Sequence, residues 1–448
     1  MVHFHRLQFL AVAVLLFALA PSTLAQTPAR SITLDEAIQI GLAQDVQLQK
    51  DLNALRLQER VVQAERGDFL PNLNASVGPS INYGLQFNTT TGQLENQRVE
   101  QLNLGVSSGI NLFNGFADVA SLEQARIESA AAVLTTDRSR QRVVSTVIAQ
   151  FLELLLAREQ IEIQEENLEA QNRLLERIEE FANVGTRPVS DLFQQQAAVA
   201  QAELQLLNAE QAFELRASDL IQTLQLDPTQ VYEFVAPQTD DVALVPTTYD
   251  YPTLIREAFE RRPDLLAQRQ RVSAGDAGIR VARSQLLPSL DFTASTGTGY
   301  TSSDPLDRAL FTQFEDNRSS AFRFSLSIPI FNRYQTRLGV ERAQIQLQNA
   351  ELDLLGLEQQ VAAQVRQQVI NYQNDVKRLD VTEKQLRAAE QSLEAEQERY
   401  NVGASTLVEL SQARASFVQA SRDRSTAVYQ FLLRGRLVEL AVGTLSVE

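Results

Sequence analysis

Leu73-Asn74-Ala75-Ser76-Val77-Gly78-Pro79-Ser80-Ile81-Asn82-Tyr83-Gly84-Leu85-Gln86-Phe87 alternates apolar with small or polar residues along its whole length. A second run does the same, with Leu102, Leu104, Val106, Ile110 and Leu112 set against Gln101, Asn103, Gly105, Ser107, Gly109 and Asn111. Further on, Leu290, Phe292, Ala294 and Tyr300 share one face, with Asp291, Thr293, Ser295 and Gly299 on the other. Phe322, Phe324, Leu326, Ile328 and Ile330 likewise face away from Arg323, Ser325 and Ser327. Period two sustained this long predicts four strands, at about 72–87, 99–113, 289–301 and 320–331. Globular strands average about 5–6 residues, whereas a tilted membrane strand needs about 9–11. Long strands, oily on one side and small or polar on the other, have the pattern of hairpins that face lipid outward and water inward. Turn-rich segments, 88–98 and 301–320, join each pair.

The runs belong to a duplicated unit. Phe69-Leu70-Pro71 returns as Leu286-Leu287-Pro288 at an offset of 217, and Leu112-Phe113-Asn114 returns as Ile330-Phe331-Asn332 at 218. Asn183-Val184-Gly185 returns unchanged as Asn401-Val402-Gly403, again at 218. So constant a spacing marks duplication of one large unit, not a short solenoid period. Each unit reads helix, strand, strand, long helix, shorter helix. The first covers 26–226 and the second 253–448, with a linker at 227–252 that holds four of the 13 prolines.

From Phe116 to Val184 there is neither Gly nor Pro, and good helix formers dominate. At 1.5 Å per residue such a helix reaches roughly 100 Å. Tyr334 to Val402 is its counterpart. Shorter helices are expected at 189–226 and 406–442, and others before the strands at 34–66 and 253–286. Helices much longer than 25 residues argue for coiled-coil packing.

Composition narrows the function. Residues 1–25 read as a signal peptide: Arg6, an apolar run over 7–20, and Thr23-Leu24-Ala25 before a cleavage point. Both histidines and the single methionine fall in that segment, and the chain of 448 residues contains no cysteine or tryptophan. A mature chain without His, Cys and Met offers no thiolate or imidazole metal site, no Cys nucleophile, no Ser-His-Asp triad and no His, Cys or Met haem ligand. No phosphate-binding glycine loop precedes a helix. An enzyme is therefore not expected, nor a cofactor. Losing Arg6 takes 40 basic residues to 39 against 56 acidic ones, a net near −17, which disfavours nucleic acid as a partner.

Four strands cannot stand alone in lipid, where each unpaired N–H or C=O costs several kcal/mol. Chains must pool their strands, two giving 8 and three giving 12. The alternation demands closure without selecting the number. Two hairpins also return the chain twice to one side, so both helix sets lie there, on the periplasmic face reached through the signal.

The duplicated unit, the Leu-Pro before each first strand, Leu112-Phe113-Asn114-Gly115 after a strand and the two Asn-Val-Gly tips resemble the outer membrane efflux protein family, the TolC-like outer membrane factors. The resemblance covers essentially the whole mature chain. It implies a fold that is mainly α with a membrane β-barrel portion: a homotrimer whose shared 12-stranded β-barrel continues into a long α-helical coiled-coil barrel. It implies an outer membrane exit duct for a tripartite efflux pump or a type I secretion system. The partners would be outer membrane lipid, a periplasmic adaptor (membrane fusion) protein and an inner-membrane transporter.

The resemblance also suggests site residues. The tips Asn183, Val184, Gly185, Asn401, Val402 and Gly403 would receive adaptor hairpins, although glycine at a helix end is equally what chain reversal requires. Six residues beyond each glycine stand Asp191 and Glu409. Three copies of Glu409 would ring the tunnel entrance and raise one another's pKa by repulsion; the second acid of the family pattern is replaced by Gln412. The family closes its entrance with a tyrosine, an arginine and an aspartate. Tyr400 and Asp191 match, Ser405 stands at the arginine position, and Arg187 occupies the repeat-equivalent place. As a surface charge, Arg187 is expected to act only as an exposed cap worth under about 1 kcal/mol.

The competing reading is a soluble periplasmic coiled-coil adaptor or scaffold, which accounts for the helices but not the strands. Cell fractionation separates the two. A barrel-forming chain is extracted only by detergent, as an oligomer that conducts ions in a bilayer; a scaffold appears in the soluble fraction.

Overall fold

The computed structural model describes residues 30–88, 91–235 and 245–446. The expected signal peptide and residues 236–244 of the expected linker lie outside the described residues. In chain order the elements are β1 (Arg30–Ile32), α1 (Leu34–Gln44), α2 (Val46–Gly67), β2 (Asn74–Asn88), β3 (Gln93–Phe113), α3 (Ala117–Asn183), α4 (Val189–Thr223) and β4 (Tyr232–Phe234). There follow α5 (Tyr251–Arg261), α6 (Pro263–Ser284), β5 (Ser289–Thr301), α7 (Leu310–Asp316), β6 (Ser319–Ser327), α8 (Gln335–Asn401) and α9 (Leu407–Val442).

The long strands form one antiparallel sheet in the order β2-β3-β5-β6. Register puts the oily residues on one side. Val77 lies opposite Leu104, Pro79 opposite Leu102, and Tyr300 opposite Leu102 from the other flank. Phe292 lies between Ile110 and Phe324. The reverse side aligns Ser76 with Gly105 and Gly297, and Gly78 with Asn103 and Gly299. Ten residue steps from Leu290 to Tyr300 span about 33 Å, which a strand tilt near 40° reduces to an oily band about 25 Å tall. Above that band the same face of β3 turns polar. Arg98 pairs with Glu100 and sits 5.8 Å from the centre of the Tyr83 ring.

Several boundaries differ from the sequence expectation. β3 starts at Gln93, so most of the expected turn 88–98 is hairpin, with Asn88 opposite Gln93. β6 ends at Ser327, because Pro329 has no N–H to give a ladder. The expected open segment 301–320 contains α7, held by Gln313, which accepts from the Thr301 N–H at 2.9 Å and donates to the Arg308 carbonyl at 2.8 Å. The expected single helices at 34–66 and 253–286 each break in two. Asp45 accepts from the Leu48 N–H at 2.6 Å to cap α2, and Pro263 opens α6, where its missing N–H removes no helical bond. The proline-rich segment contributes β4, which pairs in parallel with β1.

The helices form a layer four wide. Nearer the sheet its order is α2-α3-α6-α8; nearer the tips it is α4-α3-α9-α8. At mid-height β1, β4 and α1 pack on α3. Ile32, Phe234, Val147 and Phe151 are buried together there, with the Phe151 and Phe234 rings edge to face at 6.1 Å.

A polar clasp ties the end of the second unit to the long helix of the first. Arg262, 2% exposed, makes a two-pronged bond with Asp264 at 2.9 and 2.6 Å and donates to Gln364 Oε1 at 2.9 Å and the Ala441 carbonyl at 3.2 Å. Arg138 donates to the Leu440 carbonyl at 2.9 Å, and Gln141 to the Gly443 carbonyl at 3.0 Å. The unsatisfied carbonyls that end α9 are thus met by guanidinium and amide donors. Burial pushes the Asp264 carboxyl up, but hydrogen bonds from Arg262 and the charges of Arg262 and Arg138 outweigh it and hold the group below its usual 3.8. Its contribution is therefore present above that value and lost as pH falls through the lower folded value. Arg262→Met leaves the Asp264 carboxylate without its main donor and the Ala441 carbonyl without its guanidinium. It should destabilise the fold by about 3 kcal/mol or more, seen as a lowered midpoint in thermal unfolding, with the deficit shrinking in strong acid.

Candidate functional site

The far ends of the helices are built identically in the two units. α3 stops at Asn183, the Gly185 N–H bonds to the Ala182 carbonyl at 3.1 Å, and the Thr186 N–H bonds to the Phe181 carbonyl at 2.9 Å. In the second unit the Gly403 N–H bonds to the Tyr400 carbonyl at 3.1 Å and the Ala404 N–H to the Arg399 carbonyl at 2.7 Å. Both are Schellman endings, and both glycines are left-handed, with φ of 74° and 76°. A side chain added at either glycine would meet open space. Beside them Val184 and Val402 are 72% and 77% exposed. The two tips therefore combine a fixed backbone with uncovered apolar groups.

Between the tips lies a cavity of about 610 Å³, lined by Leu174, Ile178, Phe181, Arg187, Tyr400 and Val402 among others. Tyr400 is buried, and its hydroxyl has no hydrogen-bond partner. Burial raises its pKa, the Arg187 charge opposes that rise and the Asp191 charge adds to it. Asp191 lies near enough for its charge to act on Tyr400, without a hydrogen bond to the tyrosine hydroxyl.

Arg187 does more than the exposed cap expected of it. Its guanidinium lies 4.5 Å from the centre of the Tyr400 ring and donates to the Tyr400 carbonyl at 3.3 Å. The residue thus crosses from the first tip to the second. Ser405 is buried and donates to Glu396 at 2.6 Å and Glu409 at 3.0 Å.

Glu409 has a local role that the sequence expectation did not assign. Within the chain it closes a capping box, accepting from the Thr406 N–H at 2.8 Å while Thr406 Oγ1 accepts from the Glu409 N–H at 3.3 Å. Within the single chain, hydrogen bonds from the Thr406 backbone, the Thr406 hydroxyl and Ser405 hold its carboxyl below the usual 4.5. The signal was present in the sequence as Thr406-Leu407-Val408-Glu409, a capping pattern at the start of a helix.

The fold and the matched family agree. The model of the family described as outer membrane efflux protein matches residues 37–224 and 254–443, most of the chain. The chain belongs to this family. It is an outer membrane protein, and its role is that of an efflux channel with its helical part in the periplasm. It is 24% identical over 378 residues to the outer membrane protein TolC of Escherichia coli, covering 82% of this chain and 75% of that protein. It is 26% identical over 385 residues to the pyoverdine export outer membrane protein OpmQ of Pseudomonas aeruginosa, covering 80% and 75%. Its fold superposes on the open-state MtrE outer membrane channel of Neisseria gonorrhoeae with a TM-score of 0.75, at 20% identity, covering 93% of this chain and 90% of that one.

The capping box makes a pH-resolved prediction. Glu409 has a depressed folded pKa, so its contribution is present above 4.5 and disappears as pH falls through the lower folded value. Amide exchange in the first turn of α9 should be faster in Glu409→Gln than in the parent at neutral pH, and the two should converge in strong acid. Thr406→Ala should loosen the same turn by about 1 kcal/mol at neutral pH, and, unlike Glu409→Gln, should keep part of that deficit in acid, where the bond from the Glu409 N–H to the Thr406 hydroxyl is still missing.

Proposed function

We propose that three copies of this chain close a 12-stranded barrel in the outer membrane and a continuous helical tunnel beneath it, forming the exit duct of a tripartite efflux pump or a type I secretion system. The observation that carries this reading is the pair of free sheet edges. Among the described residues β2 has only β3 as a partner and β6 only β5, yet Phe322, Phe324 and Leu326 display an uncovered oily face on the edge strand. An open edge in lipid leaves backbone groups unpaired, so β2 of one copy takes β6 of the next. The helices support the same closure. α8 carries Leu338, Ile345 and Leu352 exposed at seven-residue spacing near the sheet and Ile370 and Val381 further toward the tips, and α4 carries exposed Phe193, Leu204, Leu207 and Leu215. These stripes sit on opposite borders of the layer, where a neighbouring copy fits helix to helix.

In this reading the tips face a periplasmic adaptor that links the duct to an inner-membrane transporter. Gly185 and Gly403, with Asn183, Val184, Asn401 and Val402, form the docking rim. Arg187 and Tyr400 brace the two tips across the entrance, with Asp191 and Glu409 as its charged lining. Pyoverdine export by the similar OpmQ points to small-molecule export as one cargo class. Passive conduction requires no catalytic residue.

Purified in detergent and added to planar bilayers, the protein should give discrete ion conductance, with a mass of three chains by native mass spectrometry. Gly185→Trp and Gly403→Trp should abolish efflux of a fluorescent dye from cells while that oligomer still assembles. Full efflux from these variants would remove the docking role of the tips, and a conductance-free monomer would remove the duct itself.

A further inference from the structure

The wet face of the sheet is almost without charge. Across the rows shared by β2, β3, β5 and β6, from Gln101 to Asn111 in β3, every wet position but two is Ala, Gly, Ser, Thr, Asn or Gln. The exceptions are Asp291 and Arg323. Arg323 stands between Phe322 and Phe324, which are 75% and 67% exposed on the oily face, so alternation turns its side chain to the wet one. It lies opposite Thr293, which in turn lies opposite Gly109. No acidic side chain shares that row. Among the described residues the Arg323 guanidinium has no carboxylate in ion-pair reach.

Asp291 belongs to a different neighbourhood. It lies one row nearer the helices, opposite Asn111 and Ser325. There it lines a concavity of about 550 Å³ with Asp68 and Asp118. The acidic group therefore sits where the sheet meets α2 and α3, and Arg323 sits further along the wall by about 7 Å. Toward the outside the wall stays neutral, with Ala321 and Ser295 in the next row and Ser319 and Gly297 in the one after. Twelve strands spaced by about 4.8 Å and tilted by about 40° give a barrel with a backbone radius of about 12 Å. The Debye length at 0.1 M salt is about 10 Å. Three guanidiniums on such a wall act on every solute that passes, because no acid stands in their row.

We propose that Arg323 sets the charge preference of the barrel: three copies form a basic ring that favours anionic solutes and repels cations on their way out. The inference rests on the three-chain barrel given above and adds which residue discriminates among cargoes inside it. The chain as a whole carries a net charge of −16, but beyond a Debye length that charge is screened, and the nearest fixed charge sets the local field. Arginine stays charged at every working pH, and its fork matches a carboxylate. Water in the lumen solvates both partners, so the contact stays weak. An anion is drawn to the ring and still leaves it, as conduction requires.

The test reads the local field with thiol reagents applied to intact cells. The chain has no cysteine, so Ala321→Cys, one row outward from Arg323 on the same strand, offers a single thiol. Two methanethiosulfonates of similar size are compared, one bearing a sulfonate and one a trimethylammonium group, each rate being divided by that for a free thiol. At about 7 Å in water and 0.1 M salt, one guanidinium should favour the anionic reagent about threefold. Added to Ala321→Cys, Arg323→Ser should abolish that preference, Arg323→Glu should invert it, and Arg323→Lys should keep it. In 1 M salt, where the Debye length is about 3 Å, all four proteins should agree. If the glutamate variant fails to assemble, Arg323→Gln supplies the neutral reading. Phe324→Cys, on the oily face, should react with neither reagent. No anionic preference with Arg323 present, or a preference that its removal leaves unchanged, would overturn the ring while a protected Phe324→Cys leaves the barrel standing. Equal labelling of Phe324→Cys and Ala321→Cys would remove the lipid-facing barrel and the ring with it.

Discussion

Backbone hydrogen bonding at the two outer strands governs the rest of the architecture. A strand in lipid has no water to satisfy its outward N–H and C=O groups, and several such groups at several kcal/mol each exceed the net stability of a whole domain. The sheet order β2-β3-β5-β6 leaves two such edges. Everything in the first unit that ends in β2 and β3, and everything in the second that ends in β5 and β6, is arranged to present those edges on opposite flanks. Duplication serves this directly: one hairpin per unit, with the hairpins meeting at β3 and β5, gives a curved tile with complementary borders.

The helical layer carries the same borders toward the periplasm. α3 and α8, at 67 residues each, run the full depth, while α2 and α6 flank them above and α4 and α9 below. The layer would hinge at mid-height if the upper and lower partners were independent. The clasp of Arg262, Asp264, Arg138 and Gln141 on the end of α9 joins them, beside the packed cluster of Phe151 and Phe234. From there the walls reach tips whose Schellman endings set the backbone and whose valines stay uncovered. The tips are rigid in backbone and open in side chain, as a docking rim requires.

Much of this was legible because it is periodic. The alternation around Val77 and Leu104 specifies both strand and face, the constant offset between the Asn-Val-Gly tips specifies duplication, and a long stretch without Gly or Pro specifies α3. What stayed hidden depends on single contacts. The breaks at Asp45 and Arg262 are local caps inside otherwise helical patterns. The end of β6 follows from one proline, and α7 from a buried glutamine. At the entrance, the local contacts of Arg187 and Glu409 were not legible from the resemblance. Arg187 reaches across to stack on Tyr400, and Glu409 is held low by its own capping box.

Disulfide formation between neighbouring copies tests the central claim most directly, because the natural chain contains no cysteine. One cysteine is placed on β2, at Ser76, Gly78 or Ser80, and one on β6, at Ser319, Ala321 or Ser325. Oxidation in intact outer membranes should link chains in at least one register, and denaturing gels should show a series that stops at three. Chains that remain single under every pairing would show that β2 and β6 do not meet across copies, and the closed barrel would have to be abandoned.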